Sequence, residues 1–235
     1  MQTIINPDDL IAMEQALVLK DNTGCQVTAV TMGPPPAEGM LRELLAMGAD
    51  DAILISAREF GGSDTFATSQ IISAAINHVG YSDEDMIFCG RQAIDGDTAQ
   101  VGPQISEHLG LPVISYAEGI EIDGDSVIVK RQFDDRYMML KAKMPCLITA
   151  LSELNEPRYM TPGGIFDAYK KDITVWGRKD LKDVLDSNLG LKGSPTQIAK
   201  ASDKVRKGAG VKETNLDPSA AANYIVEKLT EKHVL

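Results

Sequence analysis

The sequence predicts an α/β protein, because short apolar segments alternate with segments of helical spacing through its first half. The apolar segments are too short for helices and nearly continuous in apolar character, which is typical of strands buried on both faces. Glycine and proline separate many of them from the helical segments, as expected at turns. The alternation predicts a Rossmann-like, mostly parallel sheet with helices on both faces. A β-hairpin region and an extended C-terminal arm follow it in the chain.

The first helix begins after Asn6, a favourable N-cap that is followed by Pro7 at the first helical position. Two aspartates then lie near the positive end of the helix dipole, and apolar residues at helical spacing follow. Residues 26–32 predict a β-branched, buried strand that ends at Gly33 and three prolines. Residues 37–46 return to helical spacing, and a glycine ends this second helix.

The same two patterns repeat as far as residue 117. They predict strands at residues 52–55, 86–89 and 112–116, and helices at residues 64–78 and 98–109. Beyond residue 117 the pattern changes, because two short strands flank a turn that contains Gly124. The strands predicted in this region are residues 120–122, 127–130, 137–143 and 146–151.

Beyond residue 155 the sequence is rich in glycine, proline and charge, so we expect an extended segment. It predicts a short helix near residues 181–185 and a terminal helix at residues 218–232 with one apolar face. We therefore divide the chain into an α/β domain, residues 1–155, and a loop with a C-terminal arm, residues 156–235. The arm either lies on another protein or folds back on its own domain.

The chain carries 34 acidic and 23 basic residues, a formal net charge of −11 at pH 7. Nucleic acids and anionic membranes normally bind basic surfaces, so neither is expected as a partner. The apolar runs are far shorter than the ~20 residues that cross a bilayer, and the N-terminus has no secretory pattern. Three cysteines without a CxxC pair favour free thiols in a reducing environment. We therefore expect a cytoplasmic protein.

The most informative segment connects the predicted strand at residues 86–89 to the predicted helix at residues 98–109. Gly90 and Gly96 permit close approach of the backbone, and Arg91 could add positive charge. A helix that begins here presents free backbone N–H groups at its positive end, where a diphosphate can bind. These groups belong to Thr98, Ala99, Gln100 and Val101.

The same segment is neither a Walker loop nor a GxGxxG fingerprint. Asp95 and Asp97 would repel a phosphate unless they cap the helix or bind ribose. An ordinary capped loop between strand and helix therefore remains the alternative to a nucleotide site.

A second loop, before the predicted helix at residues 64–78, lies at the same edge of the predicted sheet. Ligands of such sheets bind beyond the carboxyl ends of the strands, so the two loops would face one crevice. Asp64 is also a good N-cap, which gives this loop a purely structural explanation. Its glycine, hydroxyl and carboxylate residues are Gly62, Ser63, Asp64, Thr65 and Thr68.

The sequence contains no convincing set of catalytic side chains. His78, His108 and His233 have no neighbouring residues at the spacing of a triad or a metal site. Any redox or transfer chemistry would therefore be carried by a bound cofactor.

Five stretches, taken together and in order, resemble the beta (small) subunit of electron-transfer flavoprotein along nearly the full chain. They are residues 4–9, 31–35, 46–50, 90–103 and 154–159. The stretch Asp95-Gly96-Asp97-Thr98-Ala99-Gln100-Val101-Gly102-Pro103, with Gly163-Gly164-Ile165 farther along, is most similar to the electron-bifurcating members of anaerobic bacteria.

The resemblance implies a larger alpha subunit as partner and a nucleotide crevice that holds AMP in the simple electron carriers. In the bifurcating members it implies FAD in place of AMP, with NADH bound beside it as the hydride donor. One electron would then pass to ferredoxin or flavodoxin. The other would pass through the alpha-subunit FAD to an acyl-CoA-type or related dehydrogenase.

The resemblance also assigns site residues. The adenine-nucleotide contacts of the family correspond to Asn6, Pro7, Asp8, Asp9, Met32, Gly90, Arg91, Gln92, Ala93, Ile94, Asp95, Gly96, Asp97, Thr98, Ala99, Gln100 and Val101. The side that faces NADH and the flavin ring corresponds to Gly62, Ser63, Asp64, Thr65 and Thr68. Residues 157–165 correspond to the region that meets the partner dehydrogenase, where the simple carriers usually have Leu in place of Pro162.

One departure is expected to matter for the sheet. Family members begin with an additional strand before the Asn-Pro helix, and this sequence starts just after it. Either Met1 is a misassigned start, or the crevice is incomplete and a sheet edge is exposed. Two other functions stay open: a non-bifurcating carrier with structural AMP, and an adenine-nucleotide sensing module.

Overall fold

The computed structural model describes residues 3–196 and 208–235. Internal contacts divide the chain into two units, Met1–Gln197 and Ile198–Leu235. Part of the predicted extended segment, residues 197–207, lies outside the described residues, as does Met1.

Through residue 116 the helices and strands alternate in the order that the sequence predicts. The helices are α1 (Pro7–Thr23), α2 (Glu38–Met47), α3 (Thr65–Val79), α4 (Val101–Leu109), α5 (Pro162–Ala168), α6 (Gly190–Gly193) and α7 (Pro218–Glu231). The strands are β1 (Thr28–Met32), β2 (Asp51–Ile55), β3 (Met86–Gly90), β4 (Val113–Asp123), β5 (Ser126–Gln132), β6 (Tyr137–Lys143), β7 (Cys146–Ala150) and β8 (Thr174–Trp176).

The strands form two open sheets, which confirms the predicted α/β class. The first sheet has the order β1-β2-β8 and is parallel throughout. The second has the order β3-β7-β4-β5-β6, in which β3, β7 and the first part of β4 are parallel and the hairpin strands are antiparallel. Strands β1 and β3 each pair on one side only within the described residues, so each leaves one edge open.

Helices cover both faces of the second sheet at its parallel end. Ala150 of β7 packs with Ile11 and Ala12 of α1, whereas Gly102 of α4 lies against Thr149. Successive residues of a strand point to opposite faces, so α1 and α4 lie on opposite sides of β7. Every residue of β7 is buried, as expected for a strand covered on both faces.

The predicted strands at residues 112–116 and 120–122 are one continuous strand, β4. Its first part pairs with β7, and its second part pairs with β5 after a register shift between Ala117 and Gly119. Tyr116 has a positive φ of 62° at this irregularity, and its N–H donates to Thr149 Oγ1 at 3.0 Å. The sequence prediction was wrong here, because a bulge lets one strand change partners without a turn.

Residues 156–196 contain more regular structure than the sequence predicts. Helix α5 packs on α2, and β8 adds a third strand beside β2. The helix predicted at residues 181–185 is absent, because Arg178 donates to the backbone carbonyls of Leu181 and Val184 and holds this part of the chain in turns. Leu181 and Val184 are nevertheless buried, which explains their apolar spacing.

The second unit contains the predicted terminal helix as α7. Asp217 caps it by accepting the N–H groups of Ser219 and Ala220. Ile225 and Val226 are exposed within this unit. Among the described residues, no helix combines the length and the apolar character needed to cross a membrane.

Candidate functional site

Two loops, each between a strand and a helix, carry most of the predicted site residues. The β3 loop, residues 91–100, connects β3 to α4, and the β2 loop, residues 56–64, connects β2 to α3. The prediction that both loops lie at one edge of a single sheet was wrong, because β2 pairs with β1 and β8 whereas β3 pairs with β7 in the other sheet. The helices that follow the loops, α3 and α4, pack closely against each other.

The first turn of α1 binds the beginning of the β3 loop. Asp9 Oδ1 accepts the backbone N–H of Gly90 at 2.6 Å. Asn6 Nδ2 donates to Asp9 Oδ2 at 3.0 Å and to the carbonyl of Gln92 at 2.8 Å. Asn6 occupies the predicted N-cap position, but its side chain makes no capping bond and joins the loop to the helix instead. We call these three bonds the α1 clasp.

Gly90 permits this contact because it has no side chain. A Cβ atom at Gly90 would lie 2.5 Å from the carbonyl carbon of Asp8 and 2.6 Å from the backbone nitrogen of Asp9. Such distances are well inside van der Waals contact, so only glycine lets α1 approach β3 this closely. Beside it, Arg91 Nε lies 3.4 Å from the Asp8 carboxylate.

Burial shapes the electrostatics of the α1 clasp. Burial raises the pKa of Asp9 above its ordinary value, and the neighbouring Asp8 raises it further, although the bonds from Gly90 and Asn6 oppose this shift. The pKa of the Cys89 thiol is also raised, first by burial and then by Asp9. A buried thiol of this kind is neutral and unreactive at physiological pH.

Two polar atoms at the clasp are buried without a hydrogen-bond partner among the described residues. They are Asn6 Oδ1 and Arg91 Nε. Asn6 Nδ2 already serves two acceptors, so rotating the amide would not remove the unpaired oxygen. Buried polar atoms normally have partners. Arg91 Nε faces the Asp8 carboxylate at 3.4 Å, so Asn6 Oδ1 is the atom of the two whose hydrogen-bonding capacity is unused among the described residues.

The β3 loop is exposed between Ala93 and Thr98. Helix α4 begins at Val101, three residues later than predicted, because Asp97 and Ala99 have positive φ values of 51° and 53° that interrupt a helix. The predicted free N–H groups are nevertheless present, although the helix begins later. The backbone N–H groups of Thr98, Ala99, Gln100 and Val101 donate to no other group within residues 3–196 and 208–235.

Thr65, the residue directly after the β2 loop, is hydrogen-bonded to the β3 loop. Thr65 Oγ1 donates to Gln100 Oε1 at 3.0 Å. Asp64 is the N-cap of α3 and accepts the N–H of Ala67, which confirms its predicted capping role. Ser63 Oγ donates to the carbonyl of Phe60, so this hydroxyl is engaged within its own loop. Thr65 is therefore the residue of this group that connects the two predicted loops.

Three other predicted site residues make contacts within the domain itself. Thr68 lies in the first turn of α3 and donates its N–H to the carbonyl of Asp64. Met32, at the end of β1, packs against the apolar cluster that contains Ile55. Gly62 lies beneath Leu191, a neighbour that the sequence does not indicate.

Two further groups at the carboxyl edge of the second sheet were not predicted. The Arg131 guanidinium lies 4.6 Å from the ring centroid of Phe133 and 5.8 Å from that of Tyr116. Glu153 lies near Arg91, and bonds from Ser152 and its own backbone, with help from Gln132 and Arg91, hold its pKa below the ordinary value. No sequence pattern indicated either residue, because Arg131 reaches this edge only through the β4–β5 hairpin.

Two of the three histidines make packing or hydrogen-bond contacts, and His233 is exposed. His78 packs edge-on against Trp176, and His108 shares a hydrogen bond with Ser69. Residues 3–196 and 208–235 contain no group of His, Cys, Asp and Glu that could hold a metal ion.

Residues 157–165, which the resemblance assigns to dehydrogenase contact, begin an exposed aromatic surface that continues to residue 169. Tyr159, Phe166 and Tyr169 are 95%, 73% and 74% exposed. We call residues 157–169 the aromatic segment. It is joined to the domain at one end by Arg158, whose guanidinium pairs with the buried Glu14 at 2.9 Å.

The other end of the aromatic segment is held by Arg42 of α2. Its Nη1 donates to the carbonyl of Ala168 at 2.7 Å and to the carbonyl of Lys171. The exposed aromatic residues therefore stand on backbone that is fixed at both ends.

Comparison with known proteins gives one family. The model of the electron transfer flavoprotein domain matches residues 1–181. The chain is 60% identical, over all of its own length and 89% of the relative, to the acryloyl-CoA reductase electron transfer subunit gamma of Anaerotignum propionicum. It is 51% identical to the electron transfer flavoprotein subunit beta of Clostridium acetobutylicum, over 99% of the chain and 88% of the relative.

A third relative is a subunit of a reductase complex. The caffeyl-CoA reductase-Etf complex subunit CarD of Acetobacterium woodii is 48% identical over 99% of this chain and 88% of its own length. The resemblance seen in the sequence is thereby confirmed. The family model covers the α1 clasp, both loops and the whole aromatic segment. The chain belongs to the electron transfer flavoprotein family.

Proposed function

We propose that this chain is the small subunit of a heterodimeric electron-transfer flavoprotein that supports flavin-based electron bifurcation. In this proposal FAD binds along the β3 loop, and NADH binds on the side of the β2 loop. Ferredoxin or flavodoxin receives one electron, and an acyl-CoA-type or related dehydrogenase receives the other. The names of relatives that serve acryloyl-CoA and caffeyl-CoA reductases support the class of final acceptor.

The observation that carries the nucleotide site is the meeting of two loops at one point. Thr65 on the β2 loop side and Gln100 on the β3 loop side are joined at 3.0 Å. The β3 loop is fixed at its other end by Asn6 and Asp9. An exposed loop fixed at both ends gives a dinucleotide a preorganised surface of free N–H groups.

The residues present suit a nucleotide with a diphosphate. Thr98 to Val101 offer free backbone N–H groups, and Arg91, whose Nε lies 3.4 Å from the Asp8 carboxylate, offers positive charge. Asn6 Oδ1 offers a buried acceptor that a ribose hydroxyl or an amino group would satisfy. A bound flavin would supply the two-electron to one-electron redox chemistry that these side chains lack. The chain's own residues would bind it and orient it.

Helix α7 supports the proposal of an alpha-subunit partner. Ile225 and Val226 are more than half exposed within their own unit, and exposed apolar side chains on a helix are typical of an interface. Deleting residues 211–235 should abolish heterodimer formation, as measured by gel filtration of the co-expressed subunits. A heterodimer that elutes unchanged after the deletion would refute this role of the arm.

The decisive experiment is to purify the chain with its alpha subunit, denature the complex and quantify the released FAD and AMP. Two FAD molecules per heterodimer are expected. Anaerobic oxidation of NADH should then require both ferredoxin and the dehydrogenase acceptor, and each alone should support little turnover.

Two other outcomes would replace the proposal. One FAD with one AMP would identify a non-bifurcating carrier, and NADH oxidation would then be uncoupled from ferredoxin. A homodimer that binds ATP tightly and no flavin would favour the adenine-nucleotide sensing module.

A further inference from the structure

Residues 190–196 cross the beginning of α3, and we call them the strap. The Ser194 hydroxyl accepts the backbone N–H of Asp64 at 2.8 Å and donates to the carbonyl of Gly190 at 2.7 Å. Thr196 donates its N–H to Asp64 Oδ2 at 2.8 Å. Asp64 is therefore held by the strap through both its backbone and its carboxylate.

The strap also packs directly on the β2 loop. Gly62 has a positive φ of 75°, and a Cβ atom there would lie 2.5 Å from Leu191 Cγ. Ser194 is 7% exposed, so its hydroxyl is shielded from water. A buried N–H that loses its acceptor is destabilised by its full desolvation penalty, so Asp64 depends on this hydroxyl.

These contacts form a continuous path to the β3 loop. The strap fixes Asp64, the next residue Thr65 begins α3, and the Thr65 hydroxyl donates to Gln100. The strap, residues 190–196, lies beyond the part of the chain that matches the family model, which ends at residue 181. The family match therefore assigns no role to Ser194.

We infer that Ser194 is a positioning residue for the NADH side of the proposed site. It holds the β2 loop so that Thr65 contacts Gln100, which sets the distance between the surfaces that receive the two nucleotides. The inference rests on the proposed function, and it identifies the dinucleotide bound beside the flavin as the ligand most affected. It acts through Thr65, so Ser194 itself need not contact the ligand.

The test uses the purified heterodimer and three variants, Ser194→Ala, Thr65→Val and the double variant. Each single variant should raise the KM for NADH about fivefold, the effect of one hydrogen bond of ordinary strength, with kcat and FAD content unchanged. Because both residues act through one path, the double variant should be no worse than either single variant. Ser187→Ala is the matched control, since that hydroxyl bonds only the side chain of Asn188.

A second measurement does not depend on turnover. Amide hydrogen exchange in the heterodimer should become faster both at residues 61–66 and at Gln104, whose N–H donates to the carbonyl of Gln100, in Ser194→Ala, but not in Ser187→Ala. If exchange changes only at residues 61–66, the effect of Ser194 does not extend beyond the β2 loop and the start of α3. That result would overturn the inference.

The two proposals fail in different ways. Additive effects in the double variant, or an unchanged KM in Ser194→Ala, would overturn the role of Ser194 while NADH oxidation by the wild type continued to support the proposed function. A wild-type heterodimer that oxidises no NADH would refute the proposed function and, with it, the positioning of NADH by Ser194. Hydrogen exchange would still report whether the strap and the β3 loop are coupled.

Discussion

The carboxylate of Asp9 accepts the backbone N–H of Gly90 at 2.6 Å, although the two residues are 81 positions apart in the sequence. This bond joins the first turn of α1 to the end of β3, at the point where the β3 loop begins. The sequence resemblance predicts Asp9 as a residue of the nucleotide site. Its contacts indicate that it holds the loop in place, while Asn6 Oδ1 has no hydrogen-bond partner among the described residues.

Asp9→Asn should weaken cofactor retention. The new amide can still accept from Gly90, but it places an N–H₂ group opposite Asn6 Nδ2, so one bond of the clasp is lost. A hydrogen bond to a charged group contributes ~1.5–3 kcal/mol, so we expect at least about tenfold weaker FAD binding at the proposed site. Titration of the deflavinated heterodimer with FAD measures this. Asp83→Asn changes an exposed carboxylate and should retain wild-type affinity.

The stability of the wild type relative to Asp9→Asn should depend on pH. Burial raises the pKa of Asp9 in the folded state above the ordinary value of 3.8. The folded state then binds the Asp9 proton more tightly than the unfolded state does. The stabilisation of the folded state by this proton is therefore greatest below pH 3.8 and declines as the pH rises through the raised pKa. Urea unfolding at several pH values should show that the free energy of unfolding of the wild type, relative to that of Asp9→Asn, increases as the pH falls. A shift in the opposite direction would contradict this assignment.

Gly90→Ala should disrupt the approach of α1 to β3. The added methyl group meets the backbone of Asp8 and Asp9, which cannot move without shifting the helix. Overpacking of this kind costs about 1–3 kcal/mol, and the lowered Tm should be accompanied by loss of FAD. Gly39→Ala is the matched control. Nothing lies within 4 Å of its new methyl group, and alanine in α2 should stabilise the chain by about 0.5–1 kcal/mol.

Glu14→Gln should loosen the aromatic segment. Glu14 is 5% exposed and accepts three bonds from the guanidinium of Arg158 and one from its backbone N–H. Removing one charge of such a pair leaves the other poorly compensated, and because Arg158 is partly exposed we expect a loss of about 2 kcal/mol. Chemical denaturation measures it. Glu43→Gln, at an exposed position of α2, should change stability by less than about 0.5 kcal/mol.

Tyr159→Ala and Phe166→Ala should affect partner docking and leave stability nearly unchanged. Both rings are mostly exposed, so the chain buries little of their area. If the aromatic segment is the dehydrogenase surface, each truncation should raise the KM for the dehydrogenase by about tenfold, as for an aromatic anchor at an interface. In the assay with both acceptors, the KM for ferredoxin should be unaffected. Tyr137→Ala, an exposed ring on β6, should raise neither KM, and an equal effect there would argue against a specific surface.

Sequence patterns predicted the elements that depend on neighbouring residues. Asn6 and Pro7 predicted the start of α1, and the apolar run at residues 86–89 predicted β3, because capping and hydrophobic period act over one or two turns. Strand β8 was missed, because three residues that join a sheet beside β2 carry no period of their own. The late start of α4 was missed for a related reason, since positive φ at Asp97 and Ala99 has only a weak residue signature.

By itself, then, the sequence determined the α/β class, the alternation of strands and helices, the two loops and the resemblance to a family. Only the tertiary structure decided which residues meet. Asp9 with Gly90, Thr65 with Gln100 and Ser194 with Asp64 are pairs from distant segments. Such contacts depend on how the sheets and helices pack, and packing is a property of the whole domain that no local pattern encodes.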